Sequence, residues 1–198
     1  MWEEGNQMQV RKNRLRFMGL SAMMAALLCI MSPITLPVGV LPVTLSVLAL
    51  FLVATLFPAK VSVLAVAVYL ALGALGLPVF AAFTGGAATF VSPSGGFLWG
   101  YLPAVLVVSL LCQKSCGRVL PIFLSMLLGL LILYAVGMFG FGILTDTPWQ
   151  ESFLIVILPF LVPDLMKIIV VLVLYFLLYR RVETFVKKDS CKGETNYI

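Results

Sequence analysis

The sequence predicts an all-α membrane protein, a bundle of six transmembrane helices with both termini in the cytoplasm. Of its 198 residues, 62% are apolar and 11% are charged, whereas soluble domains carry about 25% charged residues. No Asp, Glu, Lys or Arg lies between Arg16 and Lys60, between Lys60 and Lys114, or between Arg118 and Asp146. A transmembrane helix needs roughly 20 apolar residues, so these gaps accommodate about two, two and one spans. The composition excludes soluble, disordered and nucleic-acid-binding proteins, and the net charge of +5 is attributed to membrane orientation.

The first gap is divided by prolines. Residues 1–16 form a basic cytoplasmic segment, and the apolar stretch after them exceeds the roughly 7–15 residues of a signal-peptide core, which favours an uncleaved first span at Phe17–Met31. The segment Ser32–Pro42 contains three prolines and Gly39, which interrupt a helix. A second span is therefore expected at Val43–Phe57.

The second gap contains the least regular part of the sequence. A third span is expected at Val61–Leu77, ending at the glycines and proline of Gly73-x-x-Gly76-Leu77-Pro78. The stretch Val79–Gly96 has no charge but is rich in Gly, Ser, Thr and Pro. Irregular backbone cannot face lipid, so this stretch must pack within the protein, line a cavity or lie at the membrane surface. The fourth span is expected at Phe97–Leu111.

The remaining spans complete a membrane domain over residues 17–180. A fifth is expected at Val119–Phe139, followed by a polar loop that contains Trp149, a residue favoured at membrane interfaces. Proline suits the first turn of a helix and Asp suits its positive end, so the sixth span is expected from Pro163-Asp164 to Tyr179. Residues 181–198 are expected to form a cytoplasmic tail.

The basic residues predict the orientation. With six spans, both termini and the loops after spans two and four share one side, and these segments contain 12 of the 13 basic residues. An excess of Lys and Arg marks the cytoplasmic side, and Lys167 is the basic residue left over. The 12 are Arg11, Lys12, Arg14, Arg16, Lys60, Lys114, Arg118, Arg180, Arg181, Lys187, Lys188 and Lys192.

The residue types argue against catalytic or metal chemistry. The chain has no histidine, and the spacing of Cys112-x-x-x-Cys116 is not that of a metal site. We interpret these two cysteines, with Cys29 and Cys191, as membrane filler or free thiols. A phosphate-binding Gly-x-x-x-x-Gly-Lys motif is missing from the sequence, so the protein is not expected to hydrolyse ATP, and no catalytic residue or cofactor is assigned.

Asp164 and Lys167 are the candidate ligand-binding pair. Spaced i, i+3 near the outer end of the last span, they share one helix face, and ionisable groups in a bilayer usually face an interior cavity. They form either an ion pair that only anchors the helix or an outward-open site for a small molecule. The segments Pro42–Ser46 and Thr84–Gly96 open on the same side and supply hydroxyls and glycines, which favours a site. From these segments the candidates are Thr44, Ser46, Thr84, Gly85, Gly86, Ser94, Gly95 and Phe97.

Ala22 and Ala26 are the candidate partner contact. Small residues four apart flatten a helix face and let another helix approach closely. Internal packing within the bundle is the alternative.

Several segments form a pattern along the chain: Leu75–Ala81, Gly85-Gly86, Ser92–Phe97, and Leu158–Leu161 followed by Asp164-x-x-Lys167. Together they resemble the BioY family, the biotin-binding substrate components of energy-coupling factor (ECF) transporters. The resemblance implies a six-helix protein of the bacterial cell membrane that captures biotin from outside. It also implies docking, through Ala22 and Ala26, on a transmembrane coupling protein with two cytoplasmic ATPase subunits.

The resemblance also assigns roles to residues. Ligand contacts carry over to Thr44, the Thr84–Gly86 loop, the Ser94–Phe97 turn, Asp164 and Lys167, with Asp164 on the ureido ring. The chain departs from the family pattern at Ser46, where glutamine is usual, at Ser92-Pro93-Ser94, and at Pro163 in place of glycine. A substrate component for another vitamin, such as thiamine or riboflavin, is therefore the first alternative. A membrane scaffold with a structural Asp164–Lys167 pair is the second, and an intramembrane enzyme is the weakest.

Overall fold

The computed structural model describes residues 2–36, 43–115 and 117–186, which fold into helices and one short β-ladder. Thr35–Leu36 (β1) pairs antiparallel with Val43–Thr44 (β2), with Thr35 opposite Thr44. Some residues named in the sequence predictions lie outside the described ranges: Pro42, Cys116, Lys187, Lys188, Cys191 and Lys192. The helices are α1 Trp2–Met31, α2 Ser46–Leu56, α3 Ala59–Ala74, α4 Gly95–Lys114, α5 Val119–Thr145, α6 Trp149–Val156 and α7 Leu158–Val186.

Within the described residues, four helical segments are long and apolar enough to cross a membrane: Arg14–Met31, Gly95–Lys114, Val119–Thr145 and Gln150–Leu178. The two shorter apolar helices are α2, with 11 residues, and α3, with 16. Nine residues of α2 are buried, so this helix lies inside the bundle and belongs to its core. Burial by other helices explains why α2 does not need the full length of a membrane span.

The connection from α3 to α4 is irregular, as the composition predicts. After α3, Gly76 takes φ +100°, and the Leu77 N–H donates to the Leu72 carbonyl, an arrangement typical of a glycine-terminated helix. Two short 3₁₀ turns follow at Ala81–Phe83 and Ala87–Val91. Between them, the Gly86 N–H donates to the Gly73 carbonyl at 2.7 Å, which folds the connection back over the end of α3.

The predicted start of the last helix at Pro163 is wrong. The helix begins at Leu158, directly after α6, and Pro163 lies inside it. The break falls at Ile157, which ends α6, and Pro159 then occupies the first turn of α7, where its missing N–H costs nothing. Asp164 therefore sits almost two turns into α7 instead of at its first residues.

Glycines allow α4 and α5 to approach closely. A Cβ on Gly96 would lie 2.8 Å from the Gly137 carbonyl oxygen, and one on Gly140 would lie 2.5 Å from the Gly96 Cα. Backbone therefore packs on backbone where these helices cross. This crossing fixes the first turns of α4, which carry Phe97 and Tyr101.

Candidate functional site

A cavity of about 620 Å³, including the part open to solvent, lies at one end of the bundle. It is surrounded by the end of α1, the beginnings of α2, α4 and α7, the middle of α5, and the α3–α4 connection. The residues that line it are Ser32, Thr44, Val47, Phe80, Ala81, Thr84, Thr89, Ser94, Phe97, Leu98, Tyr101, Leu133, Phe160, Asp164 and Lys167.

Two charged residues of the cavity form a buried ion pair. The Lys167 ammonium donates to Asp164 Oδ1 at 2.6 Å, and both residues are buried, with 7% and 1% exposure. The Tyr134 hydroxyl of α5 donates to the other carboxylate oxygen, Oδ2, at 2.8 Å. The carboxylate is thus held from both sides, while the pair still faces the cavity.

Several hydroxyl groups are hydrogen-bonded to one another at the cavity. Ser46 Oγ shares hydrogen bonds with the hydroxyls of Thr44 and Tyr101, the latter at 2.7 Å. Ser32 Oγ shares a hydrogen bond of 2.6 Å with the Tyr69 hydroxyl. These bonds connect the hairpin between α1 and α2 to α3 and α4. They also place neutral donors and acceptors at the cavity, which suits recognition of an uncharged polar group.

Aromatic rings form much of the remaining wall. Phe80 is 1% exposed and its ring lies on Gly73. Phe97 and Phe160 have ring centroids 6.1 Å apart, and Phe97 lies on the backbone of Gly137. The glycines of α3 and α5 therefore leave room for the two phenylalanines, so that the rings lie beside the cavity rather than within it.

Gly73→Ala is expected to lower the free energy of unfolding by about 1–3 kcal/mol, because overpacking forces side chains to shift. The new Cβ would lie 2.0 Å from Phe80 Cζ. The measurement is the thermal melting temperature of the purified protein in detergent. Gly19→Ala is the matched control, since a Cβ there meets nothing within 4 Å. Equal melting temperatures for the two variants would contradict the proposed contact.

The cavity brings together six of the predicted ligand-binding residues and leaves four outside its wall. Ser46 is fully buried behind Thr44 and Tyr101. Gly85, Gly86 and Gly95 shape the connection: a Cβ on Gly85 or Gly95 would lie 2.2 Å from a carbonyl oxygen, and Gly86 has φ +97°. These three glycines shape the site through the backbone conformation that they allow. The six that line the cavity are Thr44, Thr84, Ser94, Phe97, Asp164 and Lys167.

Sequence reasoning missed several cavity residues. Phe160 precedes Asp164 by four residues and Lys167 by seven, which is the spacing of one helix face, so periodicity could have indicated it. Tyr101 follows Phe97 by four residues in the same way. Tyr134, which contacts Asp164 from outside the cavity wall, had no such signal, because it lies in a long apolar helix that carries no charged residue.

Ala22 and Ala26 are both exposed on α1, while their neighbours Ser21 and Ala25 are buried at 2%. The alternative of internal packing within the bundle is therefore wrong for these two alanines. The face that they form is available to lipid or to another protein.

The fold defines a multi-pass helical membrane protein with a cavity at one end of its helix bundle. The BioY family model matches residues 6–184, and the chain belongs to the BioY family. This agrees with the resemblance found in the sequence.

Two named relatives support this membership, and one solved structure has a similar fold. The chain is 31% identical to the biotin transporter BioY2 of Lactococcus lactis over 86% of this chain and 94% of that protein. It is 38% identical to the biotin transporter BioY of Thermotoga maritima over 73% of this chain and 85% of that protein. The fold is similar to the crystal structure of the S-component for biotin from an ECF-type ABC transporter, with a TM-score of 0.77 and 24% identity over 85% of this chain and 93% of that one.

Proposed function

We propose that this protein is the biotin-specific substrate-binding subunit of an ECF-type vitamin uptake transporter. The observation that carries the proposal is the buried Asp164–Lys167 pair in the wall of a largely apolar cavity. Biotin offers two ureido N–H donors, a ureido carbonyl, an apolar sulfur-containing ring and a carboxylate. The Asp164 carboxylate accepts a hydrogen bond from one ureido N–H group, and Lys167 provides the positive charge for an acceptor on the ligand.

The rest of the wall complements the apolar part of biotin. Phe80, Phe97 and Phe160 give flat apolar surfaces, and the hydroxyls of Thr44 and Tyr101 give neutral hydrogen-bonding groups. A permanently cationic ligand such as thiamine would be repelled by Lys167, which favours biotin over that alternative. The protein binds its substrate and has no catalytic role of its own. Biotin is the transported ligand, not a cofactor.

The proposed topology has six spans, with both termini in the cytoplasm of a bacterial cell. The spans are α1 to α5 and α7. Basic residues follow α4 and precede the membrane part of α1, whereas the cavity lies at the other ends of these helices. An excess of Lys and Arg marks the cytoplasmic side, so the cavity faces outward. This orientation suits capture of biotin from outside the cell membrane.

The proposed partners are a transmembrane coupling protein and two cytoplasmic ATPase subunits, which drive release of biotin into the cell. The exposed face of α1 around Ala22 and Ala26 is the proposed contact with the coupling protein. Small side chains there let a partner helix approach closely within the lipid. ATP hydrolysis is assigned to the partners.

Isothermal titration of the purified protein with biotin, thiamine and riboflavin tests the proposed ligand. We expect saturable binding of biotin and none of the other two, because Asp164 and Lys167 match the ureido group and its carbonyl. Saturable binding of another vitamin without biotin would assign a different substrate component. No binding of any, with a stable bundle after Asp164→Ala plus Lys167→Ala, would favour a membrane scaffold.

A further inference from the structure

Tyr134 reaches the proposed ligand site from behind. Its ring is 4% exposed on α5, and its hydroxyl donates to Asp164 Oδ2 at 2.8 Å. Asp164 and Lys167 line the cavity, whereas Tyr134 does not. The hydroxyl thus touches the acid without being placed to touch a ligand in the cavity.

The two partners of the carboxylate differ in their freedom. The Lys167 ammonium is at the end of a long flexible chain and has three donors, so it can turn from Oδ1 toward a bound ligand. The Tyr134 hydroxyl is at the end of a rigid buried ring with two side-chain torsions. An ionised carboxylate only accepts, so the phenol is the donor in this bond.

We propose that Tyr134 is a positioning residue for ligand recognition. Its hydrogen bond occupies Oδ2 and holds the plane of the Asp164 carboxylate, which leaves Oδ1, on the side of Lys167 and the cavity, for a ureido N–H. Without the hydroxyl, the carboxylate can turn so that both oxygens accept from the Lys167 ammonium, and this closed pair competes with the ligand. The proposal rests on the proposed function, since it assumes that biotin occupies this cavity.

Tyr134→Phe tests the proposal, because it removes the hydroxyl and keeps the ring. The titrants are biotin and a biotin derivative methylated on a ureido nitrogen, which lacks one N–H donor. We expect Tyr134→Phe to weaken biotin binding about tenfold, in the range for loss of a hydrogen bond to a charged group, and to weaken the derivative much less. The ratio of the two dissociation constants therefore falls toward one.

Tyr175→Phe is the matched control. Tyr175 is 4% exposed, as Tyr134 is, but it lies eight residues after Lys167 on α7 and outside the cavity wall. We expect this variant to leave the ratio at the wild-type value. A general loosening of the bundle would change both affinities alike, so an equal fall of the ratio in Tyr175→Phe would overturn the proposal.

The results distinguish the role of Tyr134 from the proposed biotin-binding function. Saturable biotin binding by the wild type with an unchanged ratio in Tyr134→Phe overturns the role of Tyr134 and leaves the proposed function standing. No biotin binding by the wild type overturns both. If Tyr134→Phe does not yield monodisperse protein, Tyr134→Leu with the same two titrants must show the same fall in the ratio, and an unchanged ratio there overturns the proposal.

Discussion

Asp164→Asn is expected to weaken biotin binding at least about 100-fold, a loss of about 2.8 kcal/mol. The amide is neutral and half of it is a donor, so it accepts ureido N–H groups less well. The change also leaves the Lys167 ammonium buried at 7% exposure without its counter-charge. Removing one partner of such a pair costs several kcal/mol in part for that reason. Isothermal titration with biotin measures the effect.

Two further variants separate recognition from folding. Asp146→Asn makes the same chemical change at an exposed position with a left-handed backbone, which asparagine adopts readily, so it should bind biotin like the wild type. Asp164→Asn with Lys167→Met removes the unpaired charge. It should recover melting temperature relative to Asp164→Asn without recovering affinity. Wild-type affinity in Asp164→Asn would return the pair to a purely structural role.

Ala22→Trp or Ala26→Trp is expected to abolish biotin uptake and to leave biotin binding within about twofold of wild type, since bulk on a small-residue face blocks helix docking. Both alanines are exposed on α1, ten and six residues before Ser32 at the cavity. Uptake is measured with labelled biotin in cells that contain the coupling protein and its ATPase subunits. Binding is measured on the purified variant.

Ala135→Trp is the matched control, because Ala135 is an exposed alanine on the lipid-facing side of α5. It should transport like the wild type. Loss of uptake in Ala135→Trp as well would mean that any bulky residue on the outer surface is harmful. Loss of biotin binding in Ala22→Trp would indicate a misfolded bundle, and normal uptake would contradict the proposed docking face.

The sequence predicted most of the succession of helices, because charged residues and prolines separate the apolar stretches of the chain. The end of α3 near Gly73–Gly76 and the irregular stretch after it were predictable, because glycine and proline commonly end helices. Proline was a less reliable guide at the last helix: both Pro159 and Pro163 lie inside α7, and the break falls at Ile157. Proline is compatible with the first turn of a helix as well as with a break, so its position alone did not locate the start of α7.

The candidate site was predictable where charge or spacing pointed to it. Asp164 and Lys167 stood out because ionisable residues are rare in an apolar helix. The contact from Tyr134 links positions 30 residues apart, so no local pattern could indicate it. The same holds for Tyr101 and Ser46, which are 55 residues apart and meet only because α2 and α4 pack side by side.

The start of α2 borders the cavity and limits how far the cavity extends into the bundle. With 11 residues this buried helix is about 16 Å long, roughly half of a bilayer core, and it begins at Ser46, directly below the cavity wall formed by Thr44 and Val47. One more helical turn before Ser46 would put about 5 Å of backbone into that space. The depth of the cavity therefore depends on where α2 begins. Substitutions along the cavity walls can change which solute fits without changing that depth.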